Sequence, residues 1–347
     1  MFSNYVYHSS VSKTFVKHCN DLAKRVETFF DAGKRLKVVD IASNDGCMLQ
    51  AFKNKGHAVL GIEPAENLAD EAERSGIPTL KVYWDAKAGE SVKKMIGLVD
   101  IVTATNVFAH VDDIHEFTAC VKTVLNERGI FIIEVPHIVE YLKHKEFDTT
   151  YHEHLSYLSL SSVSHVMSKN GLQVFHAERL PIHGGTIRVY STHVNARKIR
   201  RSVARVLNEE KTSGVFTEET YVKFSRQVKE IIGMNRKLLL DLKRKGKTVA
   251  GFGASAKGTV LLNSIGAASK TLKYIVDDTA DKQNKYVPNL GIRVVSRKHL
   301  EQHLPDYLFL TAWNFSDEIM KKTKDLDIKE GYIIPIPKPK IIRRRNT

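Results

Sequence analysis

Tyr151-His152-Glu153-His154 holds a phenol, two imidazoles and a carboxylate in four consecutive positions. If the stretch from Phe147 turns as a helix, Tyr151 and His154 fall three residues apart on one face. An imidazole there can take a proton near neutral pH, with a phenol beside it. If the stretch is extended, His152 and His154 share a face and suit a metal. No third ligand follows at a fitting distance along the chain, so acid/base work is the preferred reading. A polar surface loop is the plain alternative.

A second group of acids surrounds a small-residue turn. Asp40 ends the apolar run Val38-Val39-Asp40-Ile41, the turn Ala42-Ser43-Asn44-Asp45-Gly46 follows, and Glu63 closes the next apolar run. Strand, turn, helix and strand in that order form a βαβ unit that binds an adenosine-type cofactor at the carboxyl ends of its strands. Glu63 is placed to accept both hydroxyls of a ribose. The turn has one glycine and lacks G-x-G-x-x-G, and Asp40 and Asp45 would repel a pyrophosphate. A sulfonium with its ammonium group suits these acids, which points to S-adenosylmethionine rather than NAD. An ordinary surface turn of an α/β domain is the competing reading.

Further along, Gly253-Ala-Ser-Ala-Lys-Gly258 leads from a strand into a helix. Free amides at Ser255 to Gly258, the helix dipole and Lys257 would attract a phosphate there. The spacing is not that of a Walker loop. Asp277-Asp278 ends the next strand, and Trp313-Asn314 follows a later one. Asn106 and His110 lie just past the strand Asp100–Thr105, where residues line the crevice of an open α/β sheet. His183 stands before Gly184-Gly185, where it touches a ligand or caps the turn. Tyr5 either staples the first helix or lids a pocket.

The elements that must position these residues divide the chain into a front and a rear part. Ser12 caps a helix over 13–30, and strands at 79–84, 100–105 and 129–135 follow the βαβ unit. A helix over 159–170 leads to two alternating strands, 172–179 and 186–193, which pair as a hairpin. A basic, polar stretch at 195–216 reads as the link to a long helix, 217–245. A smaller βα repeat follows. The expected division is 1–195, a linker with the long helix at 196–245, a second α/β domain at 246–338, and a basic tail at 339–347. The 347 residues suit two domains of ~100–200 residues each.

With 42% hydrophobic and 27% charged residues, the composition is that of a globular chain. No uncharged apolar run approaches the ~20 residues of a membrane span, and no apolar signal region opens the chain. Cys19, Cys47 and Cys120 show no CxxC spacing, so neither a disulfide framework nor a cysteine zinc site is expected, and a reducing cytoplasm fits. The net charge of +14 suits a polyanion or a nucleotide-bearing substrate, or belongs to solvated helices and a tail. No nucleic-acid module accompanies it. An RNA-binding protein or RNA methyltransferase is therefore the weaker alternative.

These motifs, in this order, resemble the nucleotide-sugar C-methyltransferases. The resemblance rests on Ser43-Asn44-Asp45-Gly46, Glu63-Pro64-Ala65, Tyr151-His152-Glu153-His154, His183-Gly184-Gly185 and Gly251-Phe-Gly-Ala-Ser-Ala-Lys-Gly258. It extends through Val276-Asp277-Asp278, Ala312-Trp313-Asn314-Phe315 and Ile334-Pro335-Ile336-Pro337. It implies a seven-stranded Rossmann-like methyltransferase domain using S-adenosylmethionine, followed by a smaller Rossmann-like domain for the nucleotide sugar. Family members usually begin with a cysteine-rich zinc-binding domain, and this chain starts after the place where that domain would end. No zinc is expected in this chain.

The resemblance also implies roles. His154 would be the base that takes the C-3 proton of an NDP-4-keto-6-deoxy sugar, with Tyr151 beside it as donor or alternative base. Glu153 would orient that pair, and His110 and Tyr5 would converge on the sugar. Asp40, Ser43, Asn44, Asp45, Gly46, Glu63, Pro64 and Asn106 would hold the cofactor. His183, Gly184, Gly185, Ser255, Lys257, Gly258, Asp277, Asp278, Trp313 and Asn314 would hold the substrate, dTDP-linked or else GDP- or UDP-linked. A sugar O-methyltransferase is the nearest alternative. No membrane or nucleic-acid partner is expected, and the chain would act as a monomer or a weak homodimer.

Overall fold

The computed structural model describes residue 5 and residues 8–343, apart from the side chain of His183. In chain order the first part runs α1 (Lys13–Glu27), β1 (Lys37–Ile41), α2 (Cys47–Lys53), β2 (Ala58–Ile62), α3 (Glu66–Arg74) and β3 (Thr79–Leu80). It continues with α4 (Ala86–Ile96), β4 (Val99–Thr105), α5 (Ile114–Val124), β5 (Leu125–Pro136) and α6 (Ile138–His144). Then come α7 (Leu160–Lys169), β6 (Leu172–Leu180), β7 (Thr186–His193) and α8 (Arg201–Thr212).

The seven strands lie in the order β3-β2-β1-β4-β5-β7-β6. β1 pairs in parallel with both β2 and β4, so their carboxyl ends share one edge. Strand order reverses beside β1, which opens a crevice there. β7 runs antiparallel between β5 and β6, as the expected hairpin requires. Val38, Val39 and Ile41 of β1 are buried, as a strand covered on both faces demands. On one face α1 packs Cys19, Leu22 and Val26 against Leu49 and Phe52 of α2. The Ser12 hydroxyl caps α1 by accepting from the Phe15 N–H. The expected third strand over 79–84 shortens to Thr79–Leu80, and the expected fifth over 129–135 lengthens to Leu125–Pro136.

The second part comprises α9 (Glu218–Arg244), β8 (Val249–Phe252), α10 (Ala256–Ile265), β9 (Leu272–Val276) and β10 (Val294–Val295). It ends with α11 (Arg297–Gln302), β11 (Tyr307–Leu310), α12 (Ser316–Lys322), β12 (Gly331–Ile334) and β13 (Lys340–Ile342). Its six strands lie in the order β10-β9-β8-β11-β12-β13. Leu239 and Leu242 of α9 cover this sheet together with Leu261 and Leu262 of α10. β13 pairs antiparallel with β12, so the stretch read as a basic tail from 339 supplies an edge strand.

The chain forms two compact units whose limits differ from the division expected at 195 and 245. One holds the residues up to Ile138 together with Leu155–Ser213; the other holds Val139–His154 and the residues from Gly214. Residues 139–154, expected in the front domain, pack with the rear one, where Phe147 joins its core. The stretch at 195–216, read as a linker, contains α8, whose Val203 and Val206 belong to the core of the first unit. Among the described residues no helix is long and apolar enough to cross a membrane.

Candidate functional site

In the first unit the crevice beside β1 is lined by backbone held in a rare conformation. Ala42, Asn44 and Gly46 all have positive φ, at 56°, 53° and 80°. Their spacing is that of G-x-G-x-G, with alanine and asparagine standing where glycine is usual. Asparagine tolerates the left-handed region, whereas alanine is strained there. Counting glycines therefore missed a glycine-type loop. Asn106, just past β4, also has positive φ, at 57°, and its N–H donates to the Glu134 carbonyl at 2.8 Å.

Glu63 braces this loop. One carboxylate oxygen accepts the Asn44 N–H and the other the Ala65 N–H, each at 2.8 Å. A carboxylate has about four acceptor positions, so two remain for a diol. Burial pushes Glu63 above the usual carboxylate range, against the pull of those two amides. Asp40 is buried and accepts the Thr103 hydroxyl at 2.6 Å. Burial, opposed by that hydroxyl and reinforced by the charges of Glu63 and Glu134, pushes Asp40 up to about 7. Such a set of acids gains stability from a cation, so the residues present fit a sulfonium-bearing cofactor. Ser43 is buried behind the loop, its N–H donating to the Ile62 carbonyl, and Pro64 is half-buried beside Glu63.

The N-terminal segment fastens to the same loop. The Ser9 N–H donates to Asn44 Oδ1 at 3.0 Å and the Ser10 N–H to Asp45 Oδ2 at 2.9 Å. Tyr5 makes two backbone hydrogen bonds with the Asn67 amide, at 3.1 and 2.8 Å. Among the described residues, His8, Asp45 and Glu71 bring three potential metal-ligand atoms within 4.8 Å of one another. In that group His8 and Glu71 bond each other at 2.8 Å. His110 ends a short 3₁₀ turn, Phe108–His110, in this unit.

Tyr151, Glu153 and His154 belong to the second unit. Their segment adopts the turn rather than the extended alternative: the His154 N–H donates to the Tyr151 carbonyl at 3.0 Å. The Tyr151 and His154 rings lie 4.3 Å apart at 32°, while His152 is exposed. His154 Nδ1 lies 2.7 Å from the Thr149 carbonyl oxygen. A carbonyl only accepts, so Nδ1 carries the hydrogen and the neutral ring keeps its basic lone pair on Nε2. Burial lowers the pKa of His154, opposed by the Thr149 carbonyl and Glu153 and helped by the positive charge of Lys257. Burial thus favours the neutral form of the ring.

Three residues around this turn escaped the sequence reading. Thr149 supplies the orienting carbonyl. Asp148 is fully buried and accepts the Trp313 indole N–H at 2.6 Å. Glu146 is buried, and burial pushes it up to about 7 against the pull of Lys257, with Asp148 pushing it further. Acids placed just ahead of an aromatic and histidine cluster were the available signal, and only the fold shows that they are buried.

The stretch expected to hold a phosphate runs from β8 into α10. Gly253 has φ of 101°, and a Cβ there would come within 2.6 Å of the Ala312 Cβ. Ser255 caps α10 by accepting the Gly258 N–H at 3.1 Å, so that amide is already engaged. The Lys257 ammonium lies 4.4 Å from the centre of the Trp313 ring. Asp277 accepts the Ala254 and Thr279 N–H groups at 2.7 and 2.9 Å, and Asp278 pairs with Lys322. Asp277 therefore ties its own loop to the one after β8, and Asp278 ties it to α12. Asn314 follows Trp313 in a short 3₁₀ turn, and its buried Oδ1 has no hydrogen-bond partner among the described residues. Gly184 and Gly185 both have positive φ in the β6–β7 turn, while the side chain of His183 lies outside the described residues.

Residues 15–177 match the family described as a methyltransferase domain, and residues 181–337 match the C-methyltransferase C-terminal domain. The chain is 35% identical to the C-methyltransferase NovU of Streptomyces niveus, over 100% of its own length and 83% of that protein. The PH0226 protein of Pyrococcus horikoshii OT3 overlays with a TM-score of 0.43 at 15% identity, covering 54% of this chain and 95% of that one. The magnesium protoporphyrin IX methyltransferase of Synechocystis PCC 6803, solved with bound SAM, overlays with a TM-score of 0.38 at 10% identity, covering 52% and 78%.

Proposed function

We propose, since the chain belongs to the C-methyltransferase family, that it methylates C-3 of a nucleotide-linked 4-keto-6-deoxy sugar through an enolate. The chain is an S-adenosylmethionine-dependent methyltransferase; the sugar, the carbon and the residue roles are our reading. The observation that carries it is the His154 imidazole, tied at Nδ1 to the Thr149 carbonyl with the tilted Tyr151 ring 4.3 Å away.

A sugar C–H resists deprotonation unless a neighbouring ketone takes up the negative charge. His154 Nε2 takes the C-3 proton, and the electron pair of that C–H bond moves into the enolate. The Tyr151 hydroxyl donates to the developing oxyanion, where a fixed donor is worth ~3–4 kcal/mol. Glu153 steadies the imidazolium, and His110 and Tyr5 contact the sugar. Asp40, Asn44, Gly46 and Glu63 hold the cofactor, with Ser43, Asp45, Pro64 and Asn106 shaping its loop. S-adenosylmethionine, when bound, supplies the electrophilic methyl group that the enolate carbon accepts. Lys257 and the amides before it hold the diphosphate.

The test supplies S-adenosylhomocysteine, a panel of NDP-4-keto-6-deoxy sugars and D2O. Deuterium is expected at C-3 with the intact protein and not with His154→Gln. A product carrying O–CH3 rather than C–CH3 after turnover with the methyl donor overturns the reading.

A further inference from the structure

Within the second unit, side chains from three separate stretches meet behind His154. Trp313 follows β11, Lys257 lies in the first turn of α10, and Asp148 sits in the 3₁₀ turn Phe147–Thr149. Lys257 Nζ lies 4.4 Å from the centre of the indole ring, and the indole N–H donates to Asp148 Oδ2 at 2.6 Å. The next residue, Thr149, bonds back to the Glu146 carbonyl through its N–H at 2.9 Å and its hydroxyl at 2.7 Å. Its own carbonyl accepts from His154 Nδ1 at 2.7 Å. Phe147 anchors the turn in the apolar core.

We propose that Trp313 and Asp148 are positioning residues for His154, and that a phosphate group held by Lys257, seated on the same Trp313 ring, is felt at the base through the loss of the Lys257 charge. The proposal rests on the reading of His154 as the base. A carbonyl on a short turn orients an imidazole only as well as the turn itself is held. Here one hydrogen bond from an indole ties the turn to the end of β11. An indole N–H is a donor only, and buried Asp148 has nothing but acceptors when ionised, so the pair has one sense. The Lys257 charge acts on two acids and on the histidine. It draws down the pKa values of Glu146 and Asp148 and pushes that of His154 down. Glu153, on the histidine's own turn, acts the opposite way. A phosphate that neutralises Lys257 removes the downward push on His154, so the imidazole becomes a stronger base when the substrate's diphosphate is in place. Occupancy and reactivity are thereby coupled without a moving part.

The experiment follows the His154 ring by NMR in the full chain, with thymidine diphosphate as the probe, and measures kcat and KM in parallel. In the unsubstituted protein the probe is expected to raise the titration midpoint of His154. Trp313→Phe keeps the ring over Lys257 but removes the donor. It is expected to move the His154 ring-nitrogen signals toward a mixture of tautomers, and to lower kcat about 10–100-fold while KM changes less than about 3-fold. Asp148→Asn keeps an acceptor and should hold kcat within about 3-fold of the starting value. Trp313→Phe with unchanged ring signals and unchanged kcat overturns the positioning role. A His154 midpoint that ignores thymidine diphosphate, or that still responds in Lys257→Met, overturns the phosphate coupling. If His154→Gln keeps full activity, the base assignment fails, whereas the ring signals still report whether Trp313 holds the turn.

Discussion

With Nδ1 of His154 committed to a carbonyl, Nε2 is the nitrogen proposed to take the substrate proton, and its own protonation would set the acidic limb of activity. Burial lowers that pKa, so kcat/KM should fall only below the ordinary imidazole value of about 6.5. His154→Gln should cost about 100–10,000-fold in kcat, and a loss under 10-fold argues for another base. Asp40 gives cofactor binding the same sense of pH dependence, while the stability of the cofactor-free protein runs the opposite way. Its folded pKa of about 7 lies above the ordinary carboxylate value, so the protein without cofactor binds an extra proton between about pH 4 and 7, and its stability falls as pH rises through that window. A cationic ligand favours the ionised form. Cofactor binding should therefore release a proton near pH 6.5 and tighten toward pH 8, which calorimetry in two buffers of different ionisation enthalpy measures. Asp40→Asn should abolish the release. The acids and the Tyr151–His154 pair could be read from residue types and spacing. The left-handed backbone at Ala42 and Asn44 could not, because only glycine announces that conformation by its identity.

Among the elements, α8 shows how a long-range contact evades pattern reading. Its basic and polar residues suggest a linker, yet Glu210 on its inner face is fully buried. That carboxylate accepts the Leu160 N–H and, at 3.0 Å, the Ser161 N–H, two orphan donors in the first turn of α7. It also meets His137 Nε2 at 2.8 Å. Glu210→Ala leaves buried donors unpaired and should destabilise the first unit by about 3–5 kcal/mol. Thermal melting with Glu210→Gln alongside checks it, since the amide keeps one acceptor oxygen and should cost less. An equal, small loss for both would make α8 the mere link its composition suggests. The Ser12 cap of α1 was legible because capping is local. The partners of Glu210 lie between 49 and 73 residues away, and nothing in the nearby sequence points to them.

In the whole molecule, two sheets in sequence were legible from the repeating strand and helix pattern, but the passage of 139–154 into the second unit was not. Its evidence is Phe147, buried with Leu239, Leu261 and Ile333. Phe147→Ala should cost about 3–5 kcal/mol. Hydrogen exchange should then show lost protection in 214–347 rather than in the first unit, and the reverse pattern would count against this division. The strand β13 was missed for a related reason: Lys340-Ile341-Ile342 is too short to stand out among basic neighbours, and pairing with β12 makes it a strand. The interleaving of the units also bears on synthesis. As the chain leaves the ribosome, residues 139–154 emerge long before the strands they pack with. At ~5–20 residues per second they wait on the order of ten seconds or more for β12. During that interval the nascent protein carries Phe147 uncovered, which makes this short segment a natural client for a chaperone.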